Sequence, residues 1–172
     1  MNRLVSNFIL GFFALALMAV YGFAKQPTVY SMMMGRTATK SVATTQTDGT
    51  VRRVVMPNGT TIAARVADTD ETRAKGLAGV ERLDDNSGML FAFSTSGTYS
   101  MWMKGMNMSI DILWLDEQGK VVHLAAQVPA PVDDQADLPT YVNDQPAKYV
   151  LELAAGEAEK TGIKEGDTLK LS

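Results

Sequence analysis

Apolar and polar positions divide the chain into three unlike stretches. Residues 4–24, LVSNFILGFFALALMAVYGFA, carry no charge and have no polar face. From Lys25 to about Thr50 neither helical nor strand periodicity is present, and Ser and Thr dominate. From Val51 onward, short apolar or alternating runs are separated by turn residues, the pattern of a small β domain.

Within 51–172 the pattern predicts the elements in order. Val51 to Arg65 reads as a hairpin about Pro57-Asn58-Gly59, because Asn-Gly tolerates the positive φ of a tight turn. Asp68 or Thr69 can cap a short helix with acids in its first turn and Gly76 near its end. Gly88 to Phe93 is an apolar run of buried-strand type. Tyr99–Lys104 and Ile110–Leu115 alternate as two strands, and a second hairpin would place Lys104 opposite Asp111. Asp116 to Lys120 is a turn, Val121–Val128 a strand, and Pro129 to Pro146 a long loop with four prolines and four aspartates. Tyr149–Leu153 is a strand, 156–161 a short helix ended by Gly162, and Thr168–Leu171 a last strand. These elements imply a mainly β fold, a small β-sandwich or jelly-roll-like barrel with one or two short helices.

The first stretch has two readings. It is long enough to cross the hydrocarbon core, which takes about 20 apolar residues, and Tyr21 suits the membrane interface. It also follows Asn2-Arg3 and ends on Gly22-Phe23-Ala24, as a cleaved signal peptide would. An anchor or a signal equally sends residues 51–172 out of the cytoplasm, to the cell envelope or periplasm. Residues 25–50 bury too little to offset their ordering entropy and form a disordered linker.

Composition narrows the chemistry. The 172 residues are 46% hydrophobic and include no cysteine, which removes disulfides, thiolate metal sites and a cysteine nucleophile. Residues 51–172 hold 12 Lys and Arg against 18 Asp and Glu, an unfavourable balance for phosphate contacts, so nucleic acid is not expected as a partner. No Gly-x-Ser-x-Gly, phosphate loop or zinc signature occurs. Binding is therefore expected rather than catalysis, with no cofactor.

Several pieces of 51–172 stand in a specific order: Arg73-Ala74-Lys75-Gly76-Leu77, Gly88-Met89-Leu90-Phe91, Trp102-Met103-Lys104, Asp111-Ile112, Asp116, Gly119-Lys120-Val121-Val122, and Pro146 to Glu152 with Gly156, Gly162 and Gly166-Asp167. In this the domain resembles the family called domain of unknown function 192 (DUF192). The resemblance implies a small jelly-roll-type β-sandwich, often behind an export signal or membrane segment, and no established activity. The chain departs from the family's usual residues at Gly105-Met106 (commonly Asn-Thr), Ala78 (commonly Met) and Ser109 (commonly Pro).

The candidate chemistry centres on residues 100–116, which hold both tryptophans and four of the eleven methionines. Lys104 and Asp111 are charges in apolar strands beside Trp102, and such a pair forms either one end of a ligand pocket or an ion pair that sets strand register. Arg73, Trp102, Lys104 and Asp111 are the expected ligand-binding set. Met101, Met103, Met106 and Met108 supply the thioether donors that suit Cu(I), or else fill core space. Asp111 could also serve a hydrolase as acid or base if burial raised its pKa. His123, the sole histidine, makes a poor metal site alone. Asp133, Asp134, Asp137 and Asp144 match no calcium-loop spacing and read as a solvated acidic loop. The expectation is a membrane-tethered domain outside the cytoplasm that binds a small ligand or an envelope protein; the alternatives are a Met-based Cu(I) carrier and the Asp111 hydrolase.

Overall fold

The computed structural model describes residues 49–132 and 138–172. The expected anchor or signal at 4–24, nearly all of the linker at 25–50, and Asp133, Asp134 and Asp137 lie outside them. Among the described residues no helix is long and apolar enough to cross a membrane.

Among the described residues nine strands and two short helices follow one another: β1 (Val51–Val55), β2 (Thr61–Ala67), α1 (Asp70–Lys75), β3 (Ser87–Gly97), β4 (Ser100–Trp102), β5 (Ile110–Leu115), β6 (Val121–Val128), β7 (Thr140–Val142), β8 (Ala147–Ala154), α2 (Glu157–Thr161) and β9 (Lys170–Leu171). The β1–β2 turn has Gly59 at φ +88°, the left-handed value that Asn-Gly was expected to supply. Thr69 caps α1: its Oγ1 accepts from Thr72 N at 3.2 Å, while Thr69 N donates to Thr72 Oγ1 at 3.0 Å.

Seven strands form one sheet in the order β6-β5-β8-β3-β2-β1-β9, and β4 pairs with β7 as a separate ribbon. The sheet curls until its two ends meet. At the β6 end, Lys120 bridges Thr168 just before β9; Val121 N donates to Asp167 O and Leu169 N to Gly119 O. Gly119 (φ +81°) permits this closure, since a Cβ there would stand 2.5 Å from Leu169 O. The mainly β expectation holds, but the arrangement is a curled half-barrel with one parallel pair. β2 and β3 run parallel, because the chain crosses over through α1 and the loop after it rather than turning back in a hairpin.

The second expected hairpin does not form. β5 is sandwiched between β6 and β8, with Ile112 opposite Glu152, while Ser100–Trp102 pairs with Thr140–Val142. The expected loop at 129–146 therefore contains a strand, β7.

Alternation gives the sheet two apolar faces. Phe91, Ile110, Ile112, Trp114 and Val150 belong to one cluster, together with Leu77 and the ribbon's Met101. Ile62, Leu90, Leu113, Leu115, Leu151 and Leu153 belong to the other, with Ala158 of α2. Trp114 is fully buried and its indole N–H donates to Tyr99 O at 2.9 Å, which ties the start of the ribbon to β5.

Candidate functional site

A cavity of about 300 Å3 opens on the first face, between the sheet, the end of α1 and the ribbon. Its size is at the small end for ligand sites. Phe91 and Phe93 of β3 and Glu152 of β8 line it from the sheet. Arg73 to Ala78 close one side, and Ser100, Met101, Trp102, Lys104 and Met106 the other.

Local structure explains each wall. Two hydrogen bonds hold Arg73 in place: one guanidinium N–H donates to Ala92 O of β3 at 2.8 Å and another to Asp70 Oδ1 of α1 at 2.6 Å, and the group lies 5.5 Å from the Phe93 ring centroid. Phe93 in turn stacks on Tyr99 at 3.5 Å between centroids. Gly76, at φ +49°, lets the chain leave α1 against Phe91. The ribbon turn meets the turn after α1 through Gly79 N donating to Gly105 O at 2.8 Å. A Cβ at Gly105 would lie 3.3 Å from the Ala78 Cβ. Gly105 and Ala78 are thus close neighbours beside the cavity.

Trp102 is 57% exposed, unusual for a tryptophan, and Lys104 Nζ lies 5.5 Å from its ring centroid. Glu152 is the opposite case. It is 4% exposed, its Oε2 has no hydrogen-bond partner, and its cross-strand neighbours Met89 and Ile112 are apolar. Burial pushes its carboxyl up to about 8, so it is neutral at pH 7. The site therefore combines cationic Arg73, Lys75 and Lys104 with aromatic walls and one buried, protonated acid.

Three of the four expected site residues, Arg73, Trp102 and Lys104, line this cavity, and Asp111 does not. Asp111 is fully buried on the opposite face. Its Oδ1 accepts from Gln127 N at 2.7 Å and its Oδ2 from Ala158 N at 2.8 Å. Gln127, at φ +51°, belongs to a bulge in β6, and Ala158 is in the first turn of α2. The carboxylate thus pins a bulge to a helix start that has no side-chain cap of its own. The expected Lys104–Asp111 pairing is corrected: β5 pairs with β6 and β8, and Lys104 is exposed beside Trp102.

The methionines are mostly core. Met101, Met103 and Met106 are buried in the first cluster, and Met108 packs against it. Met106 directly follows the turn at 104–105 and is nonetheless buried. Asp144 is exposed. His123 Nδ1 lies 3.0 Å from Glu165 Oε1, which also accepts from Leu124 N. Among the described residues no cluster of three His, Asp or Glu could hold a metal ion.

Glu152 escaped the sequence-based site. The signal was an acid between Leu151 and Leu153 in an apolar strand, the same signal that singled out Asp111.

The fold and cavity define a mainly β domain with a small solvent-open pocket lined by aromatic and cationic side chains. The chain belongs to the DUF192 family, described as "Uncharacterized ACR", which it matches over residues 53–171. No curated protein matches it significantly. Two crystal structures are similar. One is a Sinorhizobium meliloti 1021 protein named "putative transcription regulator", 27% identical, with TM-score 0.61, covering 70% of this chain and 92% of that one. The other is a Novosphingobium aromaticivorans DSM 12444 protein of unknown function, also 27% identical with TM-score 0.61, covering 70% of this chain and 83% of its own.

Proposed function

We propose that the domain is a small-ligand binding module that works outside the cytoplasm, tethered through residues 4–24, and that its site is the cavity between α1, the ribbon and the sheet. One observation carries the binding reading: Glu152 lines the cavity while nearly fully buried, with an oxygen that nothing in the protein satisfies. Leaving a buried polar atom unpartnered costs about 1–3 kcal/mol, so an acid kept this way in a cavity wall points to function rather than to stability. Exposed Trp102 at the mouth adds apolar area that binding would cover. The uncharged run at 4–24 supports the tether.

A nucleic-acid role, which one structural relative's name suggests for that relative, suits this chain poorly, because residues 51–172 have six more acids than bases. The Cu(I) reading would require buried core methionines to leave their packing. The hydrolase reading would require Asp111 to give up two backbone hydrogen bonds on a face without the cavity.

Two measurements test the proposal. The first is thermal unfolding of the full chain against a metabolite library, beside Ala78→Met, which projects a larger side chain into the cavity. Ligands that raise Tm in the native chain but not in Ala78→Met support the site; ligands that act equally on both refute it. The second is a C-terminal reporter active only after export, and an inactive reporter on a stable fusion refutes the location.

A further inference from the structure

We infer that the cavity takes a small organic carboxylate, with its compact apolar body against Phe93 and Trp102, its anionic head toward Lys104 and Arg73, and a second polar atom facing Glu152. The inference rests on the binding reading above and names the ligand class for that site.

The charge of the lining comes first. Arg73, Lys75 and Lys104 are its cations, and Glu152 is its one acid. Asp70, outside the cavity, pairs with Arg73 at 2.6 Å and offsets its charge, so Lys75 and Lys104 are the unpaired cations of the lining. Lys104 and Lys75 have no carboxylate within salt-bridge distance among the described residues. Glu152, which burial keeps protonated at neutral pH, adds no negative charge and offers an O–H to a ligand oxygen. A cationic ligand would meet two unpaired like charges, Lys75 and Lys104, with no ionised acid in the lining to offset them. An anion meets complementary charge at the rim of the cavity.

The walls then set the body. Phe91, Phe93, Trp102 and Met106 present apolar and ring surfaces, and the volume has room for a single ring. A bare inorganic anion would leave those walls wet. A ring-bearing carboxylate covers them and places a planar two-oxygen head at the basic rim, which a guanidinium or ammonium recognises well.

Benzoate, benzyl alcohol and benzylamine share one ring and differ in charge. The test titrates each into the full chain at millimolar concentration and reads tryptophan emission. Trp114 is fully buried, so Trp102 supplies the response to solvent-side binding. Benzoate is expected to give a saturable change, benzyl alcohol one at least about tenfold weaker, and benzylamine none. Lys104→Gln, at an exposed position where folding is not at stake, should weaken benzoate about tenfold. Ala78→Met should abolish it. Raising the pH through 8 should weaken benzoate in the native chain, as Glu152 ionises beside the bound anion, and leave Glu152→Gln unaffected.

Saturation by the alcohol or the amine but not by benzoate, lost in Ala78→Met, would overturn the carboxylate class and leave the binding site standing. A benzoate response that survives Ala78→Met or is indifferent to Lys104→Gln would overturn the inference. No saturable response to any of the three would overturn both the inference and the binding reading.

Discussion

Two buried acids stand one step apart on neighbouring strands, and they are opposites. In the β5–β8 ladder Asp111 lies across from Leu153 and Glu152 across from Ile112. Alternation sends their side chains to opposite faces. Asp111 meets two backbone N–H groups of the elements packed beside it. Glu152 meets apolar neighbours and a cavity, and one oxygen has no partner. The same residue class, in strands of similar apolarity, is a structural fastener on one face and an unspent polar group on the other. What separates them is the other elements each face packs against: a bulge and a helix start on one side, an open pocket on the other.

The comparison is sharpest in pH. Because the folded Glu152 carboxyl titrates at about 8 and an ordinary one at 4.5, the folded chain holds a proton that the unfolded chain has released between these values. The unfolded state binds fewer protons there, so stability falls as pH rises. The contribution is fully present below about 4.5 and lost as pH passes 8, by on the order of 5 kcal/mol in all. Glu152→Gln keeps shape and removes the titration. Urea unfolding of both chains from pH 4.5 to 9 should show the variant's stability changing less steeply, and parallel profiles would place Glu152 in a wetter site than this one.

Asp111→Leu should come next, at about 3 kcal/mol of lost stability, because two buried backbone N–H groups lose their acceptor. Unfolding midpoint measures the loss, while ligand binding in the surviving folded fraction should be unchanged. A loss of binding without a loss of stability would reverse the roles assigned to the two acids. Arg73→Met is smaller, about 1–2 kcal/mol, since one half-buried bond to Ala92 O and a cation–π contact with Phe93 are removed. It should weaken anion binding more than it weakens folding, the converse of Asp111→Leu.

How much of this could be read from the residues follows the range of the interactions. Strands Ile110–Leu115 and Val121–Val128 have the bounds that alternation and the Asp116–Lys120 turn imply, because both signals are local. The Thr69 cap and the turn at Gly59 are local too. Partner choice is not. Met103 and Met106 are buried in the first cluster and the turn docks on Gly79, so the chain after Trp102 is drawn toward α1 instead of folding back into a hairpin. No pattern of alternation records that. The same limit divides the site: Arg73, Trp102 and Lys104 were singled out and line one cavity, whereas Asp111 and Glu152 carry one sequence signal and only the packed faces tell them apart.

The smallest expected effect is the most discriminating. A hairpin pairing Lys104 with Asp111 would make the two charges interdependent, and losing one would leave the other buried alone at a cost of about 3–5 kcal/mol. In the fold described here Lys104 is exposed over Trp102, and the acceptor capacity of Asp111 is directed at Gln127 N and Ala158 N on the far face. Lys104→Met should then cost under about 1 kcal/mol, the ordinary worth of an exposed cation. Asp111→Leu should keep its full cost whether or not Lys104 is present. Residues with no shared partners behave additively, so the coupling energy from a double-mutant cycle in urea should lie within about 0.5 kcal/mol of zero. A coupling of 2 kcal/mol or more would bring the two residues into contact, and would overturn both the β5–β8 register and the separation of the two acids on which the cavity rests.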